Sequence, residues 1–444
     1  MKITTAVQYI AGSQDHLEWK IPKSTIFTIS KPVALLAAII QYFSQVNVLL
    51  LAPTGKAAFI IWGNTIHSAL AVPACQSLRN YKPLDSNRLN TLRCQLGSVK
   101  LILLDEISMV GNSMFNVQIN NRLKDIKGSK EDFGGVNIIA IGDLFQLKPV
   151  MDGFIFKDFD NSEYGVLTPN LGKHFRMFEL CEIMRQRESK AFTETLNRLR
   201  EGNHTENDIL KIKERIVPEQ NCPKQAPHLF IQNLNVDEFN DKVYKAATGA
   251  KYTIEAHENV IGANSAELRD KIMKQIPNDW RKTKQLASKL QIAEGEIAIN
   301  VRTGGGNIVK LVQLHQPGKP SGIIWVAFDQ QEVGKKTRHE NRQLYRQNNN
   351  IQSTWTPIKP VTTQFAVGRN RTAQVVRKQF PLRLAAAKTV HRSQGDTQTE
   401  IVLNLNTRRG IPHIHYFALS RVTTIEGLYV TDLVKTKFLL ILKL

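Results

Sequence analysis

The run Leu101-Ile102-Leu103-Leu104 stops abruptly at Asp105-Glu106, and it is one of three such runs. Val46 to Leu51 leads into Ala52-Pro53-Thr54-Gly55-Lys56, and Val136 to Ile141 leads into Gly142-Asp143. Apart from Asn47 and Asn137, each the second residue of its run, the runs are apolar with no alternation, which is the pattern of a strand covered on both faces. Helix-like stretches lie between them, so the first half has the rhythm of a parallel α/β sheet. Ligands bind at the carboxyl ends of the strands in open sheets of this kind. Three polar clusters at three such ends predict a single site.

The second half is less regular. Phe178 to Gly202 reads as a helical hairpin region, and His228 to Asn233 as a strand. From about Trp280 to Lys378 the chain is rich in Gly, Pro, Gln and Asn around a strand at Gly322 to Phe328, as in an inserted β-rich module. The α/β texture returns at Thr389-Val390-His391 and Ile401 to Leu405. A length of 444 residues accommodates two or three domains.

Charge narrows the partners. The chain has 59 Lys and Arg against 39 Asp and Glu, a formal net charge of +20. A solvated surface is the plain reading of this excess, and a polyanionic partner the functional one. Cys75, Cys94, Cys181 and Cys222 are scattered without ligand spacing, against a zinc site or disulfide framework and in favour of a reducing compartment. No apolar run reaches the ~20 residues that cross a bilayer. The first residues lack a charged-then-apolar leader pattern, so an intracellular protein without a membrane partner is expected.

An apolar strand ending in Asp-Glu suits the metal-and-water half of a nucleoside triphosphate site. There the Asp holds Mg²⁺, and the next carboxylate orients or deprotonates the attacking water. A solvated acidic turn explains this strand end equally well by itself. The next strand separates the two readings: Ile138-Ile139-Ala140-Ile141 ends in Gly142-Asp143, with Gln146 three positions on, placed to sense a γ-phosphate.

Seven segments in order carry a family resemblance. They are Ala52-Pro53-Thr54-Gly55-Lys56-Ala57-Ala58, Thr65-Ile66-His67-Ser68, the Asp105-Glu106 strand, Phe133-Gly134-Gly135 with Gly142-Asp143-Leu144-Phe145-Gln146-Leu147, Glu182-Ile183-Met184-Arg185-Gln186, Thr389-Val390-His391-Arg392-Ser393-Gln394-Gly395, and Ala418-Leu419-Ser420-Arg421. Over nearly its whole length the chain resembles the Pif-type (petite integration frequency) DNA helicases of superfamily one. The resemblance implies two RecA-like parallel-sheet motor domains, at 1–175 and 176–444, with a small β-rich insertion at about 285–378 of the second. It implies an ATP- and Mg²⁺-dependent helicase moving 5′ to 3′ on single-stranded and duplex-junction DNA, monomeric on DNA, in replication, recombination, repair and telomere maintenance. A nuclear or mitochondrial placement follows for a eukaryotic source.

It also implies roles. Pro53, Thr54, Gly55, Thr65 and His67 would touch single-stranded DNA, and His391, Ser393 and Gln394 would link the DNA track to the nucleotide. Asp105 would hold Mg²⁺, Glu106 would serve the attacking water, and Gln146 the γ-phosphate. Arg185 and Arg421 would act as arginine fingers, and Gly395 would lie against the nucleotide. The basic run Arg369, Arg371, Arg377, Lys378, Arg383, Lys388 and Arg392 borders the His391 segment. Charge reversal at Arg377 and Lys378 is therefore expected to weaken single-strand binding.

One part is missing. A phosphate loop needs Gly-x-x-x-x-Gly-Lys-Ser/Thr, so that backbone N–H groups wrap the phosphates and a hydroxyl reaches Mg²⁺. No glycine lies between Gly12 and Gly55. Lys31 stands where the phosphate-binding lysine belongs, and Pro32 replaces the hydroxyl residue and removes a backbone donor. Losing even two charge-assisted bonds of roughly 1.5–3 kcal/mol weakens nucleotide binding by about two powers of ten or more. Very weak or absent hydrolysis is expected. The rival readings are a helicase remnant, possibly mobile-element derived in origin, that holds DNA without efficient hydrolysis, and another P-loop ATPase acting on protein or RNA.

Overall fold

Leu51 lies beside Leu104, and Leu104 beside Ala140, in adjacent parallel strands, so three strand ends are level along one sheet edge. The computed structural model behind this register describes residues 24–28, 47–72, 80–149, 152–159, 170–179, 186, 189–223, 225–300, 306–328, 332–347, 350–368, 373–406, 411 and 413–432. The chain divides into two compact units, Met1–Cys222 with Val390–Leu444, and Pro223–Thr389.

The main described sheet of the first unit has six strands: β1 (Ser24–Thr28), β2 (Val48–Ala52), β3 (Asn64–Thr65), β4 (Leu101–Leu104), β5 (Asn137–Gly142) and β6 (Arg176–Glu179). Their order is β3-β2-β4-β5-β1-β6, and every pairing is parallel. β4 sits inside the sheet with all four side chains buried, each contributing roughly 1.5–3 kcal/mol as an upper estimate. Helix ends follow local chemistry. Asp85 caps Ser86–Leu96, and Thr205 with Asp208 forms a capping box on Glu206–Lys213. Within the same unit Ile401–Asn404 pairs in parallel with Leu428–Asp432, and the helix Ile414–Leu419 lies between them in sequence.

Phe178 to Gly202 is not a helical hairpin in its described part. Its start belongs to β6, paired with β1 at the sheet edge, and one helix follows at Lys190–Glu201. The sequence Arg176-Met177-Phe178-Glu179 gives no apolar run, because an edge strand is not covered on both sides.

The second unit is mostly antiparallel. It holds β7 (His228–Phe230), β8 (Lys251–Glu255), β9 (His257–Ile261), β10 (Lys289–Ala293), β11 (Ile297–Asn300), β12 (Gly306–Gln313), β13 (Ile323–Phe328), β14 (Thr356–Ile358), β15 (Val361–Val367), β16 (Ala373–Gln379), β17 (Leu382–Leu384) and β18 (Ala387–Thr389). A five-stranded sheet runs β14-β13-β12-β11-β17, a three-stranded one β15-β16-β9, and β8 pairs with β10. β7 and β18 pair in parallel. The strand-rich stretch thus runs from Lys251 to Leu384.

Among the described residues no helix is long and apolar enough to cross a membrane. None of them form a group of three or more His, Cys, Asp or Glu able to hold a metal ion.

Candidate active site

The sheet ladder continues one residue past β4, where the Asp105 amide donates to the Leu51 carbonyl at 2.9 Å. That ties the carboxylate to the sheet at 3% exposure. Its Oδ1 has no hydrogen-bond partner among the described residues. Burial, and then the charge of Glu106, hold the Asp105 carboxyl well above the usual carboxylate range. An orphaned oxygen on a buried carboxylate suits a cation, held directly or through water.

Glu106 leaves the strand in the left-handed region, with φ 51° and ψ 47°. Few non-glycine residues adopt this conformation, which redirects the side chain away from the line of the strand. Its Oε2 accepts a hydrogen bond from Gln394 Nε2 at 2.8 Å. The turn fits because β5 ends in glycine: a Cβ on Gly142 would lie 2.9 Å from the Ile107 nitrogen.

Beyond Gly142, Asp143 organises the next loop. Its Oδ1 accepts from the Phe145 amide at 3.0 Å, and its carbonyl from the Gln146 amide at 3.0 Å. Its Oδ2 accepts from Gln146 Nε2 at 3.4 Å and from the Tyr416 hydroxyl at 3.1 Å. Arg200 approaches Oδ1 at 3.6 Å and lies 4.4 Å over the Phe145 ring. Gln146 is left with a buried Oε1 that has no partner among the described residues. Burial, and then the negative Asp143, push the Tyr416 phenol far up, so it remains a donor.

The segment after β18 closes on the same strand ends. Ser393 Oγ donates to the Val390 carbonyl at 2.6 Å, forming the turn that delivers Gln394 to Glu106. Gly395 follows at φ 75°, where a Cβ would touch Ile60 at 3.5 Å. Asp396, buried, pairs with Lys56. His391 is half-buried, and burial lowers its pKa.

Asp105, Glu106, Gln146 and Gln394 are thus assembled at adjacent strand ends. Arg421 is buried in its own turn, donating from Nε to the Phe417 carbonyl at 3.1 Å and from Nη2 to Ser420 Oγ at 2.8 Å. Lys31 and Arg185 lie outside the described residues. Gln186, next to Arg185, donates to the carbonyls of Ser420 at 3.3 Å and Val422 at 2.9 Å.

At the end of β2, the Pro53-Thr54-Gly55 turn enters a helix whose cap is Thr54 Oγ1, accepting from the Ala57 amide at 3.2 Å. Thr65 caps the next helical turn in the same way, accepting from the Ser68 amide at 3.2 Å. His67 is half-buried, and burial lowers its pKa. The basic run needs a correction. Arg377 is fully buried and bonded to Glu258, Thr283 and Leu286, so it is not a DNA-facing cation. Tyr416, Arg200 and the Lys56–Asp396 pair carried no sequence signal of their role.

A family model described as PIF1-like helicase matches residues 32–210. The ATP-dependent DNA helicase Pif1 of Psychrobacter sp. (strain PRwf-1) is 23% identical, over 96% of this chain and 67% of that protein. Over residues 32–210 the chain is similar to PIF1-like helicases. Its similarity to the Pif1 helicase of Bdellovibrio bacteriovorus is 26% identity, over 86% of this chain and 77% of that one. For the Danio rerio PIF1 helicase the figures are 28%, 86% and 54%, so the chain spans little more than half of that relative. The crystal structure of Bacteroides Pif1 bound to ssDNA matches with a TM-score of 0.69 and 22% identity, over 98% of this chain and 92% of that one. Pif1 helicase from Candida albicans matches at TM-score 0.69 and 20% identity, over 98% and 94%. These likenesses bear out the α/β, RecA-like fold expected from the PIF1-type motifs.

Proposed function

We propose that this chain is the body of a PIF1-type, ATP-dependent 5′-to-3′ DNA helicase that binds single-stranded and duplex-junction DNA. The observation that carries the reading is the Glu106–Gln394 hydrogen bond beside the orphaned Asp105 oxygen. It joins the two segments that a DNA-driven motor has to couple. The motor halves are 1–175 and 176–444, the latter carrying the insertion at about 285–378.

The residues fit one half of the nucleotide site. Asp105 would hold Mg²⁺, Glu106 would orient the attacking water, and Gln146 would offer its free oxygen toward the γ-phosphate side. Arg185 and Arg421 would supply charge opposite the transferring phosphoryl group once Arg421 leaves its own turn, and Gly395 would give close backbone approach. When bound, ATP supplies the phosphoryl bond whose hydrolysis drives movement. On the DNA side stand Pro53, Thr54, Gly55, Thr65, His67, His391 and Ser393, with Gln394 as the link.

The phosphate half does not fit as well. Lys31 stands without the preceding glycines, and Pro32 offers neither hydroxyl nor N–H. That observation favours a second reading, a DNA-holding body with impaired hydrolysis. Family roles in replication, recombination, repair and telomere maintenance, a nuclear or mitochondrial site, and action as a monomer belong to the first reading.

The deciding experiment measures DNA-stimulated hydrolysis and unwinding of forks with a 5′ or a 3′ single-stranded tail. The helicase reading expects unwinding only from a 5′ tail. DNA binding with turnover far below roughly 1 per second, in a purified folded chain, selects the impaired body. No DNA binding at all refutes both.

A further inference from the structure

We infer that Trp62, backed by Phe59, is a stacking platform for an unpaired base, an inference that rests on the single-strand reading proposed above. The helix Gly55–Ile60 ends in a double closure: the Trp62 amide donates to the Phe59 carbonyl at 3.1 Å, and the Gly63 amide to the Ala58 carbonyl at 2.8 Å. This helix stop needs a left-handed residue after the cap and normally takes glycine or asparagine. Here the residue is Trp62, at φ 56°. A bulky side chain at such an angle is an outlier, and outliers of this kind concentrate at functional positions.

The consequence for the ring is direct. Trp62 is 82% exposed, while its neighbours Ile61 and Ile66 are buried. The indole lies against the Phe59 ring with centroids 6.3 Å apart and planes 25° apart. One aromatic face is therefore supported and the rest is offered to solvent. The loop cannot drift, because a Cβ on Gly63 would lie 2.6 Å from the Leu50 carbonyl oxygen. A preorganised aromatic surface loses little entropy when a flat ligand stacks on it.

Position selects the ligand. Pro53-Thr54-Gly55 precedes this six-residue helix and Thr65-Ile66-His67 follows the loop, so segments assigned to the strand flank the indole. Six helical residues span about 9 Å, a distance of a few stacked bases at ~3.4 Å each. The chain as a whole carries a net charge of +20, which suits a polyanion. Every base presents a π-face, so such a platform tolerates any sequence.

The test uses the full chain with fluorescein-labelled oligo(dT) and an abasic oligonucleotide of equal length, followed by anisotropy over a salt series. Trp62→Gly suits the left-handed angle, so it removes the ring without straining the loop, and Trp62→Tyr keeps a stacking ring. We expect Trp62→Gly to bind oligo(dT) about 5- to 100-fold more weakly, with Trp62→Tyr close to wild type. The salt slope should be unchanged, and the abasic strand should bind both proteins alike. Equal oligo(dT) affinity in Trp62→Gly overturns the platform alone. So does an equal loss on the abasic strand, or a change confined to self-association in sedimentation. A wild type that binds neither strand overturns the single-strand reading and the platform with it.

Discussion

Replacing Arg377 separates a structural cation from a DNA-binding one. Arg377 Nε donates to Glu258 Oε1 at 2.6 Å, and Nη1 donates to Thr283 Oγ1 at 2.9 Å and to the Leu286 carbonyl at 2.7 Å. The arginine side chain is fully buried, Glu258 is 14% exposed, and the Phe365 ring lies 5.2 Å from the guanidinium. Arg377→Met would strand the Glu258 carboxylate and two acceptors, and breaking a buried pair from one side costs roughly 3–5 kcal/mol. That is a large share of the 5–15 kcal/mol that typically holds a domain together. Trp325, 1% exposed in the same unit, reports the loss by fluorescence in a urea titration. A second change, Glu258→Leu, should recover part of the stability, since replacing both partners removes the stranded charge. Lys378→Glu, on the exposed side of the same strand, should leave the midpoint alone. An Arg377→Met protein that unfolds at the wild-type midpoint but binds single strands several-fold more weakly would refute the reasoning.

Restoring Gly-x-x-x-x-Gly-Lys-Thr between Ile29 and Val33 should tighten ATP binding by about two powers of ten, measured by calorimetry; unchanged affinity would mean that the loss lies elsewhere. In that restored chain, Gln394→Ala should lower DNA-stimulated turnover by about tenfold or more, the factor that a lost charge-assisted bond of roughly 1.5–3 kcal/mol carries, with nucleotide affinity little changed. Asp208 gives a pH signature: the Arg198 fork first, and then the Thr205 and Thr195 donors, hold its carboxyl far below the ordinary value of 3.8 against the opposing effect of burial. A depressed folded pKa means stability that is present above 3.8 and lost as pH falls toward the folded value, so Asp208→Asn should melt earlier at pH 7 and the gap should narrow below pH 3.8.

The strands that were legible are those covered on both faces. Leu101 to Leu104 could be read to the residue because burial leaves no polar position in the run. Asp105 and Gln146 were legible as strand-end residues, since a parallel sheet levels such ends whatever the loops do. β6 was hidden because an edge strand does not need the apolar run. Arg377 was misread for a related reason. β16 alternates, with Val375, Arg377 and Gln379 inward and Lys378 outward, but two of the three inward residues are polar. A charge count over the segment therefore merged a buried arginine with an exposed lysine. The Glu106–Gln394 bond spans 288 residues of sequence, a distance at which no local pattern carries information. The left-handed Glu106 and Trp62 were invisible for the opposite reason, since backbone angles at such residues are set by neighbours rather than by their own preference.

The two strained features of the strand end bear on what the site is for. A buried carboxylate oxygen without a partner costs roughly 1–3 kcal/mol or more, and a left-handed non-glycine residue of order 1–3 kcal/mol. Leucine at 105 would relieve the first, and glycine at 106 the second. A body that only held DNA would need neither cost, because the proposed DNA contacts and stacking surface lie on other segments. The Gln394 amide is spent on Glu106 rather than on solvent, and Asp143 draws donors from Gln146, Tyr416 and Arg200. Such an arrangement would suit a cation and a water, the groups that the proposed hydrolytic site handles. On the proposed reading, the missing glycines remove the phosphate loop while Asp105, Glu106 and Gln146 keep the arrangement that a metal and a water would use.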